Sequence, residues 1–232
     1  MKEDKKQVGE LFDSISLKYD FLNHFLSFNI DKKWRKKAVK VLSSKKEKLL
    51  DVATGTCDLA IEVLRQGKAE QIVGVDLSKG MLEKGQEKIN KLNLNRNITL
   101  LKEDCQNLSF EDNSFDSAMV GFGVRNFNDL DKGLKEIFRV LKPKGEFVVL
   151  EFSKPKYKII LYFYNIYLNK LLPLIGRLFS KHIYAYTYLP NTIKEFIYGQ
   201  EFIDKLKEIG FENATTKELT FGVATIYKSI KP

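Results

Sequence analysis

Acidic residues and a glycine turn stand at a spacing typical of a nucleoside-binding site. Asp51 ends a short apolar run, Gly55 follows in a turn, and Asp76 ends a second apolar run. Asp76 lies about 20 residues beyond the glycine turn, the distance at which such a carboxylate reaches the ribose hydroxyls of a nucleoside. A third apolar run, 98–102, leads to Asp104. Because the carboxyl ends of parallel strands share one edge of a sheet, we expect these residues to line one pocket. Taken singly, each has a structural explanation, such as helix capping for Asp76.

The glycine turn distinguishes S-adenosylmethionine from other nucleoside cofactors. A dinucleotide-binding turn needs three glycines, whereas Gly55 stands alone between Thr54 and Thr56. Asp58 would place a negative charge at the helix N-terminus where a pyrophosphate binds. The chain also lacks the glycine-lysine-serine/threonine loop of phosphate-binding enzymes. A cofactor with an amino-acid moiety and a sulfonium fits better, because acidic and hydroxyl groups can hold its ammonium and offset its positive charge.

Alternating strands and helices position these residues. The predicted strands are 48–53, 71–76, 98–102, 115–120 and 146–152. The helices between them begin near Cys57, at Ser78, and at Asp129 or Asp131. This alternation with short connections predicts a parallel, doubly wound α/β sheet whose fifth strand is central.

Helical segments flank this core. Residues 5–42 have the apolar spacing of helices and form either a lid over the pocket or a cover on a sheet edge. A last helix, 192–209, precedes strands at 213–218 and 223–227, which form a hairpin that puts one antiparallel strand at the end of the sheet. Such a hairpin is the usual ending of the class I S-adenosylmethionine-dependent methyltransferase fold, a Rossmann-like sheet of seven strands. The single domain of 1–232 divides into an N-terminal helical lid (1–45), a cofactor-binding core (46–153), a helical insertion on the substrate side (154–191) and a C-terminal helix with the hairpin (192–232).

Composition limits the class of protein. The 232 residues are 44% hydrophobic and 30% charged, as in an ordinary globular chain. Two cysteines and two histidines argue against a disulfide framework or a metal site. The N-terminus lacks the apolar core of a secretory signal, and no stretch approaches the roughly 18 apolar residues that span a bilayer. We therefore expect a cytoplasmic protein. The net charge of +9 fits lysine-rich solvated faces, or attraction to an anionic surface.

Several separate motifs resemble those of the ubiquinone/menaquinone biosynthesis C-methyltransferases. They are Lys18–Asn23 with Leu26–Phe28 and Trp34, Leu50–Thr56, Phe122–Asn126, Arg139–Pro143, Leu150–Ser153 and Tyr186–Pro190. The glycine motif is common to all class I methyltransferases, whereas Phe122–Asn126 and Leu150–Ser153 are much more specific. The sequence also departs from the family: Gly121, for example, stands where relatives can carry a serine that touches the cofactor.

The resemblance implies methyl transfer from S-adenosylmethionine to a ring carbon of a polyprenyl hydroquinone, with demethylmenaquinol favoured over a benzoquinol. It implies that Thr56 lies by the methionine part of the cofactor, Asp76 at the ribose, and Asp104 with the Cys105 backbone near adenine. We expect Arg125 and Asn126 to bind the quinol oxygens and stabilise the developing phenolate. The alternative is that Arg125 pairs with an acid and only fixes its loop.

The sequence is less informative about the general base and about the binding of the prenyl tail. The sequence does not identify the general base, and the candidates are residues of the helical segments: Tyr19, Asp20, His24, Asp31 and Tyr186. Residues 157–188 could form an apolar tunnel for the prenyl tail, with a lysine-bearing rim at the inner face of the membrane, or else a homodimer interface or extra core.

Rival functions explain less of the sequence. An RNA methyltransferase would account for the basic charge, but the Asn/Asp-Pro-Pro-aromatic signature and a Pro-Cys nucleophile are both missing. Intact cofactor motifs and Arg125 argue against a non-catalytic S-adenosylmethionine-binding protein. The glycine pattern argues against an NAD oxidoreductase. We therefore expect no nucleic-acid partner.

Overall fold

A seven-stranded sheet forms the centre of the molecule. The computed structural model describes residues 9–16, 20, 24, 27–171 and 183–232, with the backbone alone for 183–187. The strands are β1 (Lys46–Val52), β2 (Ala69–Asp76), β3 (Ile98–Lys102), β4 (Phe115–Gly121), β5 (Leu141–Phe152), β6 (Glu212–Leu219) and β7 (Ala224–Ile230).

Helices cover both faces of this sheet. They are α1 (9–16), α2 (Ile30–Lys40), α3 (Asp58–Arg65), α4 (Lys79–Lys91), α5 (Leu130–Val140), α6 (Lys158–Ile166), α7 (Ile183–Glu195) and α8 (Gln200–Ile209). A 3₁₀ turn (Val124–Asn126) follows β4, a π-helical turn (Tyr167–Leu171) continues α6, and a second 3₁₀ turn (Thr220–Gly222) joins β6 to β7. Ser78 caps α4 and Asp129 caps α5, so the predicted start of α4 and one of the two predicted starts of α5 are confirmed.

The strand order is β3-β2-β1-β4-β5-β7-β6, and β1 to β5 are parallel. Leu49, Leu50 and Val52 in β1 are fully buried, which explains why the central strands are continuous apolar runs. One buried cluster packs on the α2–α3 face and another on the α5–α8 face. The predicted mostly parallel, doubly wound sheet with a terminal hairpin is confirmed.

Two details of the predicted elements were wrong. The helix expected over 192–209 is two helices, because α7 ends at Glu195 and α8 begins only after Gly199, which has a φ of 64°. Glycine adopts this left-handed conformation without the steric penalty of a side chain. The antiparallel strand β7 lies inside the sheet, and β6 occupies its edge.

The helices of the described residues include none that is both long and apolar enough to cross a membrane. The predicted division of the chain into lid, core, insertion and terminal segments stays a prediction.

Candidate active site

The carboxyl ends of β1 to β4 surround a cavity of about 770 Å³, a volume that includes its open mouth. Four of the predicted site residues line it, one at or beyond the end of each strand: Gly55, Asp76, Cys105 and Asn126. The sheet therefore brings these four residues to one pocket.

Asp76 holds the glycine turn in place. One of its oxygens accepts a hydrogen bond from the Gly55 backbone N–H (2.8 Å), and the other accepts one from the Ser78 N–H (2.9 Å). Gly55 has a φ of 56°, which favours glycine at this turn. Burial raises the pKa of Asp76 despite these hydrogen bonds, and the nearby Asp13 carboxylate adds to the increase.

Asp51 lies beneath the cavity wall rather than in it, and is almost fully buried. Its Oδ2 accepts a hydrogen bond from the Thr54 hydroxyl (2.7 Å), while its Oδ1 has no hydrogen-bond partner among the described residues. Burial raises the pKa of this carboxyl to about 7. A buried carboxylate is costly to ionise unless a cation lies nearby, so this position suits a positively charged ligand.

Thr56 is buried outside the cavity lining. Its hydroxyl donates to Asp20 (2.5 Å) and accepts from the Lys88 ammonium (2.9 Å). Lys88 also pairs with Asp20 (2.6 Å) and Asp58 (2.7 Å). This polar network anchors an N-terminal residue to the cofactor turn. The assignment of Thr56 to the methionine part of the cofactor stays a prediction.

The turn after β3 contributes backbone and neighbouring side chains. The Asp104 carboxylate accepts from the Gln106 N–H (2.9 Å) and so closes this turn. Cys105, Glu103 and Gln106 line the cavity, whereas Asp104 does not. Glu103 and Gln106 were not identified as site residues from the sequence, although their position in the turn after the apolar run 98–102 could have indicated that they line the pocket.

Helix α1 lies over the cavity mouth. Gly9 and Phe12 are lining residues, and Asp13 accepts hydrogen bonds from the Ser78 hydroxyl (2.5 Å) and the Gly80 N–H (2.8 Å). Asp13 thus binds the N-terminal end of α4, where a carboxylate is favoured by the unpaired N–H groups. None of these three residues was identified from the sequence.

The loop after β4 passes close to the cofactor turn. A Cβ at Gly123 would lie 2.5 Å from the Cβ of Ala53, so only glycine allows this approach. Asn126, three residues on, lines the cavity, and its side-chain oxygen accepts a hydrogen bond from the Tyr188 hydroxyl (3.1 Å). The ring of Tyr188 meets Phe12 of α1 edge-on, with centroids 6.4 Å apart.

Arg125 does not line the cavity and is only 7% exposed. Its guanidinium pairs with Glu151, which is fully buried at the end of β5 (2.7 Å), and donates to the Phe122 carbonyl (2.5 Å) and the Thr192 hydroxyl (3.3 Å). It also lies 5.3 Å from the centre of the Phe152 ring. The arrangement matches the alternative considered for the sequence, in which Arg125 pairs with an acid and fixes its loop. Its direct contact with a quinol stays a prediction.

His24, Asp31 and Asp58 form a cluster with metal-ligand spacing. The His24 ring lies 2.7 Å from Asp31 and 3.6 Å from Asp58. Arg35 pairs with both carboxylates, and Lys88 pairs with Asp58, so two cations already occupy the place that an ion would take. The cluster is an ion-pair network.

Three candidates for the general base, Asp20, His24 and Asp31, contact charged or polar side chains and do not line the cavity. Tyr19 and the side chain of Tyr186, also considered as bases, lie outside the described residues.

Comparison with known proteins yields one family and one fold. The family model described as "ubiE/COQ5 methyltransferase family" matches residues 1–231. A demethylmenaquinone methyltransferase of Bacteroides fragilis is 44% identical over 97% of this chain and 93% of its own length. A ubiquinone/menaquinone biosynthesis C-methyltransferase of Geotalea daltonii is 42% identical over 100% of this chain and 99% of its own length. The crystal structure of an S-adenosylmethionine-dependent methyltransferase of Aquifex aeolicus superposes with a TM-score of 0.63 at 19% identity, covering 85% of this chain and 89% of that one. The last similarity concerns the fold alone, and it confirms the predicted class I architecture.

Proposed function

The chain belongs to the ubiE/COQ5 methyltransferase family, and we propose that it methylates a ring carbon of a polyprenyl hydroquinone, converting demethylmenaquinol to menaquinol. It is a methyltransferase with S-adenosylmethionine as its cofactor. The observation that carries the proposal is the 44% identity to a demethylmenaquinone methyltransferase along almost the whole chain. Methylation of a benzoquinol in ubiquinone biosynthesis is the second candidate, favoured by the name of the Geotalea daltonii relative.

The residues at the carboxyl edge fit this cofactor. Bound S-adenosylmethionine supplies an electrophilic methyl group on a positively charged sulfur. The buried Asp51 carboxylate would offset positive charge beneath the glycine turn. Asp76 would bind the ribose hydroxyls, and Cys105 with the adjacent turn would lie against adenine. Gly121 lines the cavity and can offer only backbone to the cofactor.

The acceptor ring would lie at the β4 end of the cavity. Asn126 is the predicted quinol ligand with the more direct support, because its side chain borders the cavity. Arg125 would act on the same oxygen by stabilising the phenolate that forms when the quinol loses its phenolic proton, before the ring carbon attacks the methyl group. Its pairing with Glu151 holds it in position. Proximity and orientation supply much of the rate, and a group still to be identified removes the ring proton.

The Arg125 assignment has a direct test. We expect Arg125→Lys to lose about 100-fold or more in turnover, because an ammonium cannot reproduce the forked contacts of a guanidinium. Binding of S-adenosylmethionine, measured by calorimetry, should stay within about twofold. Unchanged turnover would remove Arg125 from the reaction and leave it only its loop-fixing role.

The prenyl tail suggests where the enzyme works. Among the residues that the structure describes, six large apolar side chains from three segments are more than 60% exposed: Phe28, Phe221, Tyr157, Ile159, Tyr162 and Phe163. Lys156 pairs with Glu218 (2.5 Å) and the Trp34 indole donates to Thr220 (2.9 Å), so the three segments meet at one end of the sheet. Together with nearby lysines, such a surface suits peripheral binding at the anionic inner face of the cell membrane.

Vesicle sedimentation tests this surface. We expect binding to vesicles containing phosphatidylglycerol to exceed binding to neutral phosphatidylcholine vesicles. The double substitution Tyr162→Ser with Phe163→Ser should abolish it. Leu92→Ser, at an exposed apolar residue at the end of α4, is the control. A dimer that dissociates in the double variant, without vesicle binding by the wild type, would assign the surface to the homodimer instead.

The reaction itself is tested by incubating the protein with methyl-labelled S-adenosylmethionine and reduced demethylmenaquinol, a demethoxy-type benzoquinol, or bulk RNA. Label in menaquinol alone fixes the reaction and the substrate. Label in both quinols keeps the enzyme class and widens the pathway. Label only in RNA would overturn the proposal.

A further inference from the structure

Helix α6 has two different faces. Tyr162 and Phe163 point to solvent and are each 63% exposed. The next residue, Tyr164, turns inward and packs with Phe152 against the buried pair Leu168 and Ile193. The helix therefore carries one tyrosine outward and another toward the end of β5.

The hydroxyl of Tyr164 is buried and has no hydrogen-bond partner among the described residues. Native proteins leave few such groups, because a buried hydroxyl without a partner costs stability. Two serine hydroxyls share this property, but Ser117 and Ser229 are fully buried within strands β4 and β7. The Tyr164 hydroxyl instead belongs to a side chain that packs with Phe152 at the carboxyl end of β5, the edge at which this fold binds its ligands, although Tyr164 is not one of the residues that line the cavity.

The surroundings of Tyr164 connect it with the acceptor side. Arg125 and Glu151 are close enough for their charges to act on the phenol. Burial nevertheless raises the pKa of Tyr164 well above its ordinary value, so the group keeps its proton and serves as a hydrogen-bond donor. Arg125 and Asn126 are consecutive, and Asn126 borders the cavity. The Arg125 guanidinium lies 5.3 Å from the centre of the Phe152 ring, and Phe152 belongs to the same apolar cluster as Tyr164, so the two polar groups share a neighbour at the end of β5.

The reaction is favoured by a hydrogen-bond donor close to an oxygen of the acceptor ring. The acceptor carbon must meet the methyl group, so the ring lies beside the cofactor cavity, over the ends of β4 and β5. Negative charge develops on a ring oxygen as the quinol loses its phenolic proton, and a buried donor stabilises that charge more strongly than water does.

We propose that the Tyr164 hydroxyl donates a hydrogen bond to a quinol oxygen and, with Arg125, stabilises the phenolate form of the acceptor. This inference rests on the proposed quinol methylation. It makes Tyr164 a catalytic residue, a role that its position within an apolar helix did not indicate from the sequence.

The experiment compares Tyr164→Phe with Tyr198→Phe, a half-buried tyrosine that does not line the cavity. With demethylmenaquinol as acceptor, we expect Tyr164→Phe to lower kcat/KM about 100-fold, the usual effect of removing one donor to a developing oxyanion. The pH at which kcat/KM reaches its plateau should move upward, because the phenolate is less stabilised. Tyr198→Phe should behave as the wild type in both respects.

Stability separates this role from a structural one. Phenylalanine removes an unpartnered oxygen, so the melting temperature of Tyr164→Phe should equal or exceed that of the wild type, and its affinity for S-adenosylmethionine should be unchanged. Wild-type kinetics in Tyr164→Phe, or a loss of activity that follows a loss of folded protein, would overturn the inference. Absence of turnover by the wild type would overturn the proposed function, and this inference with it.

Discussion

The two halves of the carboxyl edge differ in how much of each is built by local turns. On the cofactor side, the Thr54 hydroxyl donates to Asp51 three residues away and Asp104 closes a turn with Gln106 two residues away, although the Gly55 N–H also donates to Asp76, 21 residues away. On the acceptor side, Arg125 pairs with Glu151 26 residues away and with Thr192 67 residues away. Local turns can be recognised as sequence motifs, whereas the acceptor side exists only when β4, β5, α6 and α7 have come together.

The charged groups of the two halves are also stabilised differently. Cofactor-side carboxylates are held largely by backbone N–H groups, and Asp51 and Asp76 have raised pKa values because burial outweighs those bonds. The acceptor side instead contains a buried ion pair, which is strongly destabilised when one partner is removed. Mutations on the cofactor side should therefore lower mainly the affinity for S-adenosylmethionine. Mutations on the acceptor side should lower the free energy of unfolding in addition to activity.

The largest expected effect is on the buried ion pair. Glu151→Gln leaves the Arg125 guanidinium without its counter-charge, and we expect the free energy of unfolding in urea to fall by about 3 kcal/mol. Glu136→Gln is the matched control, because Glu136 pairs with Arg139 at a similar 2.8 Å but on the surface. That change should cost less than about 1 kcal/mol. Equal losses in the two variants would contradict the contrast between buried and exposed pairs.

Next in size is the loss of the Asp76 carboxylate. Asp76→Ala removes the acceptor of the Gly55 and Ser78 N–H groups together with the proposed ribose ligand. We expect the affinity for S-adenosylmethionine to fall about 30- to 100-fold, roughly 2 to 3 kcal/mol, as measured by calorimetry. Affinity within threefold of the wild type would show that the carboxylate does not hold the ribose.

A smaller effect should appear in the pH dependence of binding. The Asp51 carboxyl has a pKa raised to about 7, and a cationic ligand favours its ionised form. The affinity for S-adenosylmethionine should therefore rise between pH 6 and pH 8, by about tenfold at most. S-adenosylhomocysteine, whose sulfur is uncharged, should show a smaller rise, and Asp51→Asn should remove the difference between the two ligands.

The same carboxyl affects the free protein with the opposite trend. Its folded pKa lies above the unfolded value of about 3.8, so its contribution to stability decreases as pH rises from about 4 to about 7. Asp51→Asn should consequently melt a few degrees higher than the wild type at pH 8. A lower melting temperature at that pH would contradict the burial argument.

The smallest expected effect concerns α1. Asp13→Ala removes the acceptor at the start of α4, worth about 1 kcal/mol, without touching the sheet. If α1 acts as a lid, cofactor affinity should fall about fivefold, with little change in melting temperature. Glu10→Ala, on the same helix, provides a control. Unaltered affinity would leave α1 as a cover on the sheet edge.

Sequence reasoning performed well where periodicity and local turns decide the structure. The strand 98–102 was predicted to the residue, and Ser78 was correctly identified as a cap. The split of the last helix was missed, because a single glycine such as Gly199 permits a break in a helical pattern but does not require one. For the site, Gly55, Asp76, Cys105 and Asn126 do line one cavity, since the ends of neighbouring parallel strands must be close in space.

The sequence by itself determined the order of strands and helices, the cofactor edge and the family, because these depend on short-range patterns and on motifs along the chain. Only the tertiary structure decided the partners of the long side chains. It turned Arg125 toward Glu151, joined Thr56 to Asp20 and Lys88, and buried the Tyr164 hydroxyl without a hydrogen-bond partner in the described part of the chain. A long side chain can reach several acids, and packing of distant segments selects among them.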